Sequence, residues 1–372
     1  MERFFVIFAF ILLSIETTLT MSTLPASNDA SKKNSQPYPK MIPIQGSSKP
    51  EYLEDGSTVT RVPGIMNYVT DNTNEVNVYR DVKGHDSEYI GAEWDQVEVP
   101  IHNARLFPHT PSLDKEGFEL LVKPVTNSVD FLDQDSVIDN YYPECEEFLK
   151  SVLDPKAQVV KCFDHNVRVS YQMKKSNDEA KRQGQLHVPL GMVHGDYTKT
   201  SGPNRFKNLC QPPKANDILK SRLKDKPLLD PMLVDEMLEG KRRFQLINIW
   251  RNIDPEEPVQ QFPLACVDAS TSPASDGSLK TLYLHYSDRI GENYFVSHRK
   301  QHKWCYFPRM THDEALLIKQ WDSRGAIARE DDESDLSTFS IHSAFHDATS
   351  TGTSPPRKSI EVRCAVIWQE EN

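Results

Sequence analysis

The sequence predicts a mainly β protein with flanking helices, folded as an antiparallel sandwich or jelly roll. The C-terminal half contains six short stretches rich in β-branched and aromatic residues, at 244–250, 281–286, 294–297, 304–307, 336–342 and 359–368. Long polar loops such as 268–278 and 329–335 separate them, as in antiparallel sheets packed in two layers. The 372 residues show no internal repeat, which favours one large core over a solenoid or propeller.

The N-terminal region is expected to lie outside this domain. Residues 4–15 form an apolar run that is too short to span a membrane alone, so 1–20 are interpreted as a signal-like or anchor segment. Membrane contact is then possible only through 4–15. Because Met21 is a plausible alternative start, a cytoplasmic protein is slightly favoured over a secreted or membrane-anchored one. Residues 21–60 have few large apolar side chains and predict a flexible lead-in.

The remaining residues, 61–372, are predicted to form a single domain with two recognisable helices. Apolar residues at spacings of three and four predict an amphipathic helix over 136–154. Asp230 as cap and Pro231 in the first turn predict a short helix that belongs to a helical insertion near 207–239.

Two further segments have patterns typical of strands. Alternating β-branched residues predict strands at 157–163 and 167–171, joined by a turn at 164–166. Residues 311–314 have two interpretations: a capping box that opens a helix over 315–321, or a turn that leads into a strand.

Charge and cysteine content exclude several classes of protein. The net charge of −11 without a long basic cluster disfavours nucleic acid as a partner, so a small or neutral substrate fits better. Six cysteines without a CxxC pair indicate buried free thiols rather than a zinc site or a dense disulfide framework.

The motif His194-Gly195-Asp196 is the main candidate for chemistry. On an extended strand, residues two apart point the same way, so an imidazole and a carboxylate share one face. His342, from a distant strand, can complete two histidines and one carboxylate, the set that holds non-haem iron(II) and leaves positions open. His346 shares the strand face of His342 and is the alternative ligand; we prefer His342 because the strand is predicted to end near Asp347.

The chain also resembles the AsaB-like fungal hydroxylase/desaturase family. The matching segments follow one another in order from about residue 97 to 368. They are 103–106, 115–118, 141–144, 163–168, 194–196, 248–251, 262–265, 304–310, 314–319, 321–323 and 356–363. The family is similar to gibberellin desaturases and to a cephamycin-pathway hydroxylase component.

The resemblance implies a double-stranded β-helix core, a cupin-like jelly roll, with iron(II) and 2-oxoglutarate as cofactors. It further implies hydroxylation or desaturation of a small secondary metabolite, with dioxygen as the second substrate. Two alternatives stay open: a cupin-like metal enzyme that does not use 2-oxoglutarate, and a non-catalytic secreted β-sandwich binding protein.

A 2-oxoglutarate site needs a fixed cation for the distal carboxylate, and a guanidinium matches that group with two donors. Arg357 with Ser359 is one candidate and Arg363 is the other; their even spacing puts all three on one face if the last strand extends back that far. Arg363 has a second interpretation, a salt bridge to an interior Asp or Glu.

Overall fold

Two β-sheets and a layer of helices make up the computed structural model of the protein. It describes residues 35–36, 49–56, 58–81, 87–170, 186–187, 191–215, 217–331, 334–347, 349–350 and 353–370. The apolar segment predicted at 1–20 lies outside the described residues, as does most of the lead-in predicted at 21–60. Residues 34–372 belong to one compact unit.

The strands are named in chain order. They are β1 (Ser35–Gln36), β2 (Glu51–Tyr52), β3 (Val59–Val69), β4 (Glu75–Tyr79), β5 (Tyr89–Ile90), β6 (Trp94–Asn103), β7 (Phe118–Val122), β8 (Ala157–Val169), β9 (Leu186–His187), β10 (His194–Gly195), β11 (Arg242–Asn252), β12 (Leu264–Val267), β13 (Leu279–His285), β14 (Ile290–Val296), β15 (Trp304–Tyr306), β16 (Glu314–Asp322), β17 (His342–Ala344) and β18 (Lys358–Glu370).

The helices occur between strands along the chain and are also named in order. They are α1 (Gln134–Ser136), a π-helical stretch (Val137–Tyr141), α2 (Tyr142–Val152), α3 (Ser201–Leu209), α4 (Lys220–Leu223), α5 (Pro231–Leu238) and α6 (Ala326–Arg329). Single 3-10 turns occur at Ala104–Leu106, Ala269–Thr271 and Ala274–Asp276. No helix among the described residues is both long and apolar enough to cross a membrane.

The larger sheet has the strand order β1-β5-β4-β13-β14-β10-β17-β12-β15-β6-β3-β2, and the smaller has β7-β16-β11-β18-β8-β9. One core cluster contains residues of both sheets, such as Ile101 of β6 and Leu246 of β11, so the two sheets pack face to face. A second cluster joins Tyr141 and Phe148 to the outer face of the smaller sheet. The predicted sandwich with flanking helices is therefore confirmed.

Strand β18 shows how the two faces of the smaller sheet differ. Ile360 and Val362 pack in the cluster on the helix side, whereas Ala365 and Ile367 pack between the sheets. Because side chains alternate along a strand, the odd-numbered residues of β18 face the interior of the sandwich. Polar residues at odd positions of β18 are thus directed at the larger sheet.

The turn predicted at 164–166 is wrong, because β8 runs without a break through these residues. A register shift marks the place: Arg363 pairs with Asp164, but Cys364 pairs with Cys162, so the strand bulges at Phe163. The polar residues that resembled a turn lie in the middle of a long strand.

The turn interpretation of 311–314 is the one that the structure contains. The following residues form β16, a strand buried along its full length, and not a helix over 315–321. The Glu314 carboxylate accepts a hydrogen bond from the Thr311 amide at 2.9 Å and binds the Arg105 guanidinium through both oxygens, at 2.7 and 2.8 Å.

Two other boundaries differ from the prediction. The strand predicted at 336–342 is confined to β17, which begins at His342. The boundary predicted at residue 60 falls inside β3. The insertion predicted near 207–239 contains α4, α5 and the end of α3; α5 has the predicted cap, since the Asp230 carboxylate accepts from the Met232 amide at 2.9 Å.

Candidate metal centre and 2-oxoglutarate site

His194 and His342 lie directly opposite each other on two neighbouring antiparallel strands, β10 and β17. Their ring centroids are 4.3 Å apart. Asp196 follows β10, and its Oδ1 lies 3.6 Å from Nε2 of His194. One ligand atom from each of these three residues can be chosen so that all lie within 4.8 Å of one another. The structure therefore brings the three residues predicted as ligands into one cluster, the only such cluster among the described residues.

Backbone carbonyls hold both imidazoles in one orientation. Nδ1 of His194 lies 2.8 Å from the carbonyl oxygen of Met192, and Nδ1 of His342 lies 3.1 Å from that of Ser340. A carbonyl can only accept, so each Nδ1 must carry the proton and donate it. Each Nε2 is left with a free lone pair, the form of histidine that binds a metal ion.

His194 is also kept neutral by its surroundings. Burial, and then the neighbouring His342, lower its pKa to about 3, although Asp196 acts in the opposite direction. A buried imidazolium beside a second imidazole is unfavourable. The ring is consequently in its ligand form over the whole physiological pH range.

Asp196 is kept ionised. Burial alone would raise the pKa of this carboxyl group, but Arg363, the two histidines and Asn248 more than offset it and hold the pKa well below its usual range. Oδ2 accepts a hydrogen bond from Nδ2 of Asn248 at 3.0 Å and lies 3.5 Å from Nε of Arg363. These contacts occupy Oδ2 and leave Oδ1 directed at His194.

Arg363 is fully engaged in ion pairs. Besides Asp196, its guanidinium binds Oδ2 of Asp164 at 2.9 Å and lies 3.4 Å from Oε1 of Glu361. Burial would lower the pKa of Arg363, but Asp196, Asp164 and Glu361 raise it well above its usual value. Glu361 in turn accepts from Nδ2 of Asn248 at 2.7 Å. The structure thus contains the salt bridge that was the second interpretation of Arg363.

Arg357, unlike Arg363, forms no ion pair with the residues that the structure describes. It is 3% exposed, its guanidinium stacks over Trp250 at 5.6 Å, and one Nη donates to the carbonyl of Phe262. Its Nε and the Oγ of Ser359 are buried without a hydrogen-bond partner among the described residues. Burial, together with the nearby Arg168, lowers the pKa of Arg357 to about 9. Two buried donors without an acceptor are costly unless a ligand supplies one.

His194, Asp196, His342, Arg357 and Arg363 all line one cavity of about 490 Å³ between the two sheets. His346 is not part of the metal-ligand cluster; its ring packs at the edge of Phe262. The register of β17 against β10 places His342, and not His346, opposite His194.

Sequence reasoning missed three residues that support the ligands. Asn248 contacts Asp196 directly, and Glu361 and Asp164 act through Arg363. The signal in the sequence was Arg363 itself. A buried charge requires partners, so polar or acidic side chains were to be expected on the same face of the sheet. Which of the many acids would provide them depends on pairing between β8, β11 and β18, which are far apart in the chain.

Comparison with known proteins agrees with this architecture. The family model described as "Oxidoreductase/YMDC permease-like domain" matches residues 66–225 and 227–367. A Methylophilus leisingeri protein from the dcmA 3′ region is 39% identical over 186 residues, which cover 48% of this chain and 82% of that protein. The hydroxylase/desaturase CTB9 of Cercospora beticola is 30% identical over 291 residues, covering 75% of this chain and 79% of the relative.

A third relative is named Fe(II)/2-oxoglutarate-dependent dioxygenase nvfI, from Aspergillus novofumigatus, with 26% identity over 279 residues, covering 74% of this chain and 84% of the relative. A solved structure titled iron and alpha-ketoglutarate-dependent endoperoxidase NvfI superimposes with a TM-score of 0.62, at 23% sequence identity, over 84% of this chain and 99% of that one. It supports the jelly-roll core. The chain belongs to the Oxidoreductase/YMDC permease-like domain family of oxidoreductases, together with fungal hydroxylase/desaturases.

Proposed function

We propose that this protein is an iron(II)- and 2-oxoglutarate-dependent dioxygenase that hydroxylates or desaturates a small organic substrate. One observation carries the proposal: the same cavity is lined by the His194–Asp196–His342 cluster and by a buried arginine with an unpartnered donor, Arg357. The relatives named hydroxylase/desaturase and Fe(II)/2-oxoglutarate-dependent dioxygenase support the same assignment.

The donor set fits iron(II). Two neutral imidazole nitrogens and one carboxylate oxygen provide three ligands with a single negative charge, and this combination with open positions is typical of non-haem iron oxygenases. Because all three come from β10, the residues after it, and β17, they approach a metal ion from the larger sheet. The three residues line the cavity, so an ion held by them would be accessible from it.

The residues around Arg357 fit a dicarboxylate. The guanidinium is buried and has no carboxylate partner in the neighbourhood that the structure describes, unlike Arg363, whose donors are taken by Asp164, Asp196 and Glu361. A carboxylate placed against Nε of Arg357 and Oγ of Ser359 satisfies both donors and compensates the buried charge. We therefore assign Arg357 with Ser359, and not Arg363, to the distal carboxylate of 2-oxoglutarate.

Each group of the chain then has a defined task. Asn248 and Arg363 keep the Asp196 carboxylate deprotonated and direct Oδ1 toward the metal position. The carbonyls of Met192 and Ser340 keep the imidazole lone pairs available. When bound, iron(II) would let dioxygen act as the oxidant: 2-oxoglutarate would give two electrons and leave as succinate and carbon dioxide, and the substrate C–H bond would give the other two.

An anaerobic titration tests the proposal. We expect iron(II) to bind to the metal-free protein, 2-oxoglutarate to add a visible charge-transfer band, and admission of air to produce succinate. Iron binding without any consumption of 2-oxoglutarate would instead identify a metal enzyme of another reaction class. A protein that binds no iron at all, and that is unaffected by His194→Ala apart from stability, would be a binding protein.

A further inference from the structure

We propose that helix α3 recognises an anionic group of the organic substrate through Arg205, so that the substrate is an amphipathic carboxylate. This inference deepens the proposed function and rests on it for the reaction that follows binding. It concerns a wall of the cavity that does not contribute metal ligands.

Four polar residues of α3 face the cavity. They are Ser201, Asn204, Arg205 and Asn208. Their spacing of i, i+3, i+4 and i+7 defines one stripe along a helix, so the four side chains lie on the same side. Asn204 and Asn208 are exposed, so the stripe is accessible to polar groups of a ligand that enters the cavity.

The opposite side of α3 is anchored to the core, which fixes the direction of the stripe. Phe206 is fully buried and packs edge-to-face on Phe244, with ring centroids 4.9 Å apart. Gly202 lies so close to Trp321 that a Cβ at this position would come within 2.7 Å of the indole ring. The helix therefore cannot roll to turn Arg205 away from the cavity without losing these contacts.

Arg205 stacks on an aromatic ring and has a donor without an acceptor in the described part of the chain. Its Cζ lies 4.5 Å from the centre of the Phe163 ring, and its Nε is buried without a hydrogen bond. Among the residues that the structure describes, it forms no ion pair. Stacking on Phe163 holds the guanidinium in place and leaves its edge free for an acceptor.

The carboxylates of the same cavity are already engaged elsewhere. Asp164 and Asp196 bind Arg363, and Glu361 binds Asn248 and Arg363. The remaining two are held as well: Glu292 accepts from the Thr198 hydroxyl at 2.8 Å, and Asp217 lies 4.0 Å from the Arg289 guanidinium. Among the described residues, no carboxylate of the cavity is therefore left to neutralise Arg205, and an anionic ligand can take that place.

An apolar wall completes the cavity. Leu282 and Leu284 of β13 and Phe295 of β14 line it, as does Leu264 of β12. A cavity of about 490 Å³ is of the size that encloses a small organic molecule. A ligand with a hydrocarbon body against these strands and a carboxylate at α3 satisfies both surfaces. The overall negative charge of the protein had favoured a neutral substrate, but the local charge at α3 is positive.

Isothermal titration of the metal-free protein with two acids, cyclohexylacetic acid and decanoic acid, and with their primary amides, tests the inference. The amides keep the shape of the acids and lose the charge. We expect the acids to bind more tightly than the amides, and Arg205→Gln to weaken the acids by roughly tenfold to a hundredfold, the range for a hydrogen bond to a charged group. The amides should be unaffected by the substitution.

Two control variants identify the site. Lys207→Gln removes one positive charge from the solvent side of the same helix and should leave the affinity for the acids unchanged. Acids that bind instead at the proposed 2-oxoglutarate site would lose affinity in Arg357→Gln and keep it in Arg205→Gln. Equal binding of acids and amides, an Arg205→Gln variant that binds like wild type, or wild type that binds neither acid would each overturn the proposal.

The outcome is separable from that for the proposed function. The titration needs no iron, and the iron(II)/2-oxoglutarate band of Arg205→Gln is expected to equal that of wild type. If the band is missing in wild type, the proposed function fails while the acid titration can still be interpreted. If the band is present and the acids do not discriminate, only the substrate class is wrong.

Discussion

His194 and His342 are partners in strand register, 148 positions apart in numbering yet opposed across β10 and β17 with ring centroids 4.3 Å apart. Such a pair is possible only because β17 inserts between β10 and β12 in the larger sheet. The consequences of this arrangement can be measured through the ligands and the residues that support them.

Replacement of the remote histidine is the first test. We expect His342→Ala to abolish the charge-transfer band of iron(II) with 2-oxoglutarate. Its affinity for iron(II) should fall by more than roughly 10–100-fold, which is the cost of losing a residue that only supports a ligand. The control is His346→Ala, which should retain both because His346 lies outside the ligand cluster. Loss of the band in His346→Ala but not in His342→Ala would reverse the assignment.

Substitutions of Arg357 and of Arg363 should affect different binding steps. Arg357→Gln is expected to raise the KM for 2-oxoglutarate by roughly thirtyfold or more, since loss of one partner of a buried charge pair costs about 2–5 kcal/mol. Iron affinity should change little. Arg357→Lys keeps the charge without the paired donors and should lie between wild type and Arg357→Gln.

Arg363→Gln should act on the metal instead. Arg363 is the strongest of the groups that lower the pKa of Asp196, so its removal raises that pKa. Protons compete with iron(II) for the carboxylate below its pKa, and the loss of iron binding on acidification therefore moves to higher pH. A titration of iron affinity against pH checks this; an unchanged acid limb would show that Arg363 does not control Asp196.

Asn248 is expected to be a positioning residue. Asn248→Leu removes the hydrogen bonds to Asp196 and Glu361 and should weaken iron(II) binding by roughly 10–100-fold. Gln245→Leu is the matched control, because Gln245 is a buried amide on the same strand that donates to Asp322 at 2.8 Å. It should lower stability and leave iron affinity intact.

A buried ion network that shares no residue with the metal-ligand cluster should govern acid stability. Nζ of Lys319 lies 2.9 Å from Oδ2 of Asp322, both side chains are fully buried, and Arg243 binds the same carboxylate. Burial opposes ionisation of Asp322, but Lys319 and Arg243 lower its pKa to about 2. The ionised carboxylate therefore stabilises the fold above its ordinary pKa of 3.8, and this contribution is lost as pH falls toward 2.

Asp322→Asn should cost about 3–5 kcal/mol at neutral pH, because it leaves the buried Lys319 with only the exposed Asp114, 3.4 Å away, as an acidic partner. Urea unfolding at neutral pH and between pH 4 and 2 measures both effects, with about 3.8 and 2 as the relevant limits. The difference between wild type and variant should shrink as the pH falls. A constant difference would mean that Asp322 is not ionised in the folded protein.

Sequence patterns predicted the parts of the fold that depend on residues close together in the chain. The helical segment that contains α2 follows from the spacing of its apolar residues. The cap of α5 follows from the Asp230 side chain, which accepts from an amide two residues away. The stretch 164–166 looked like a turn because the polar residues that it contains normally end strands. In the folded chain Asp164 and Asn166 line the cavity, where Asp164 pairs with Arg363, while His165 lies on the other face against Tyr142. Pairing with β18 keeps all three extended.

The sequence by itself determined the sandwich class and which residues could act as metal ligands, since the two-residue spacing keeps His194 and Asp196 close together even though β10 ends at Gly195. Tertiary structure decided which remote histidine meets them, which arginine stays unpaired, and that the polar stripe of α3 faces the cavity. The physical reason is that strand register and the pairing of buried charges bring together groups far apart in the chain. Their free energies depend on partners that no local pattern specifies.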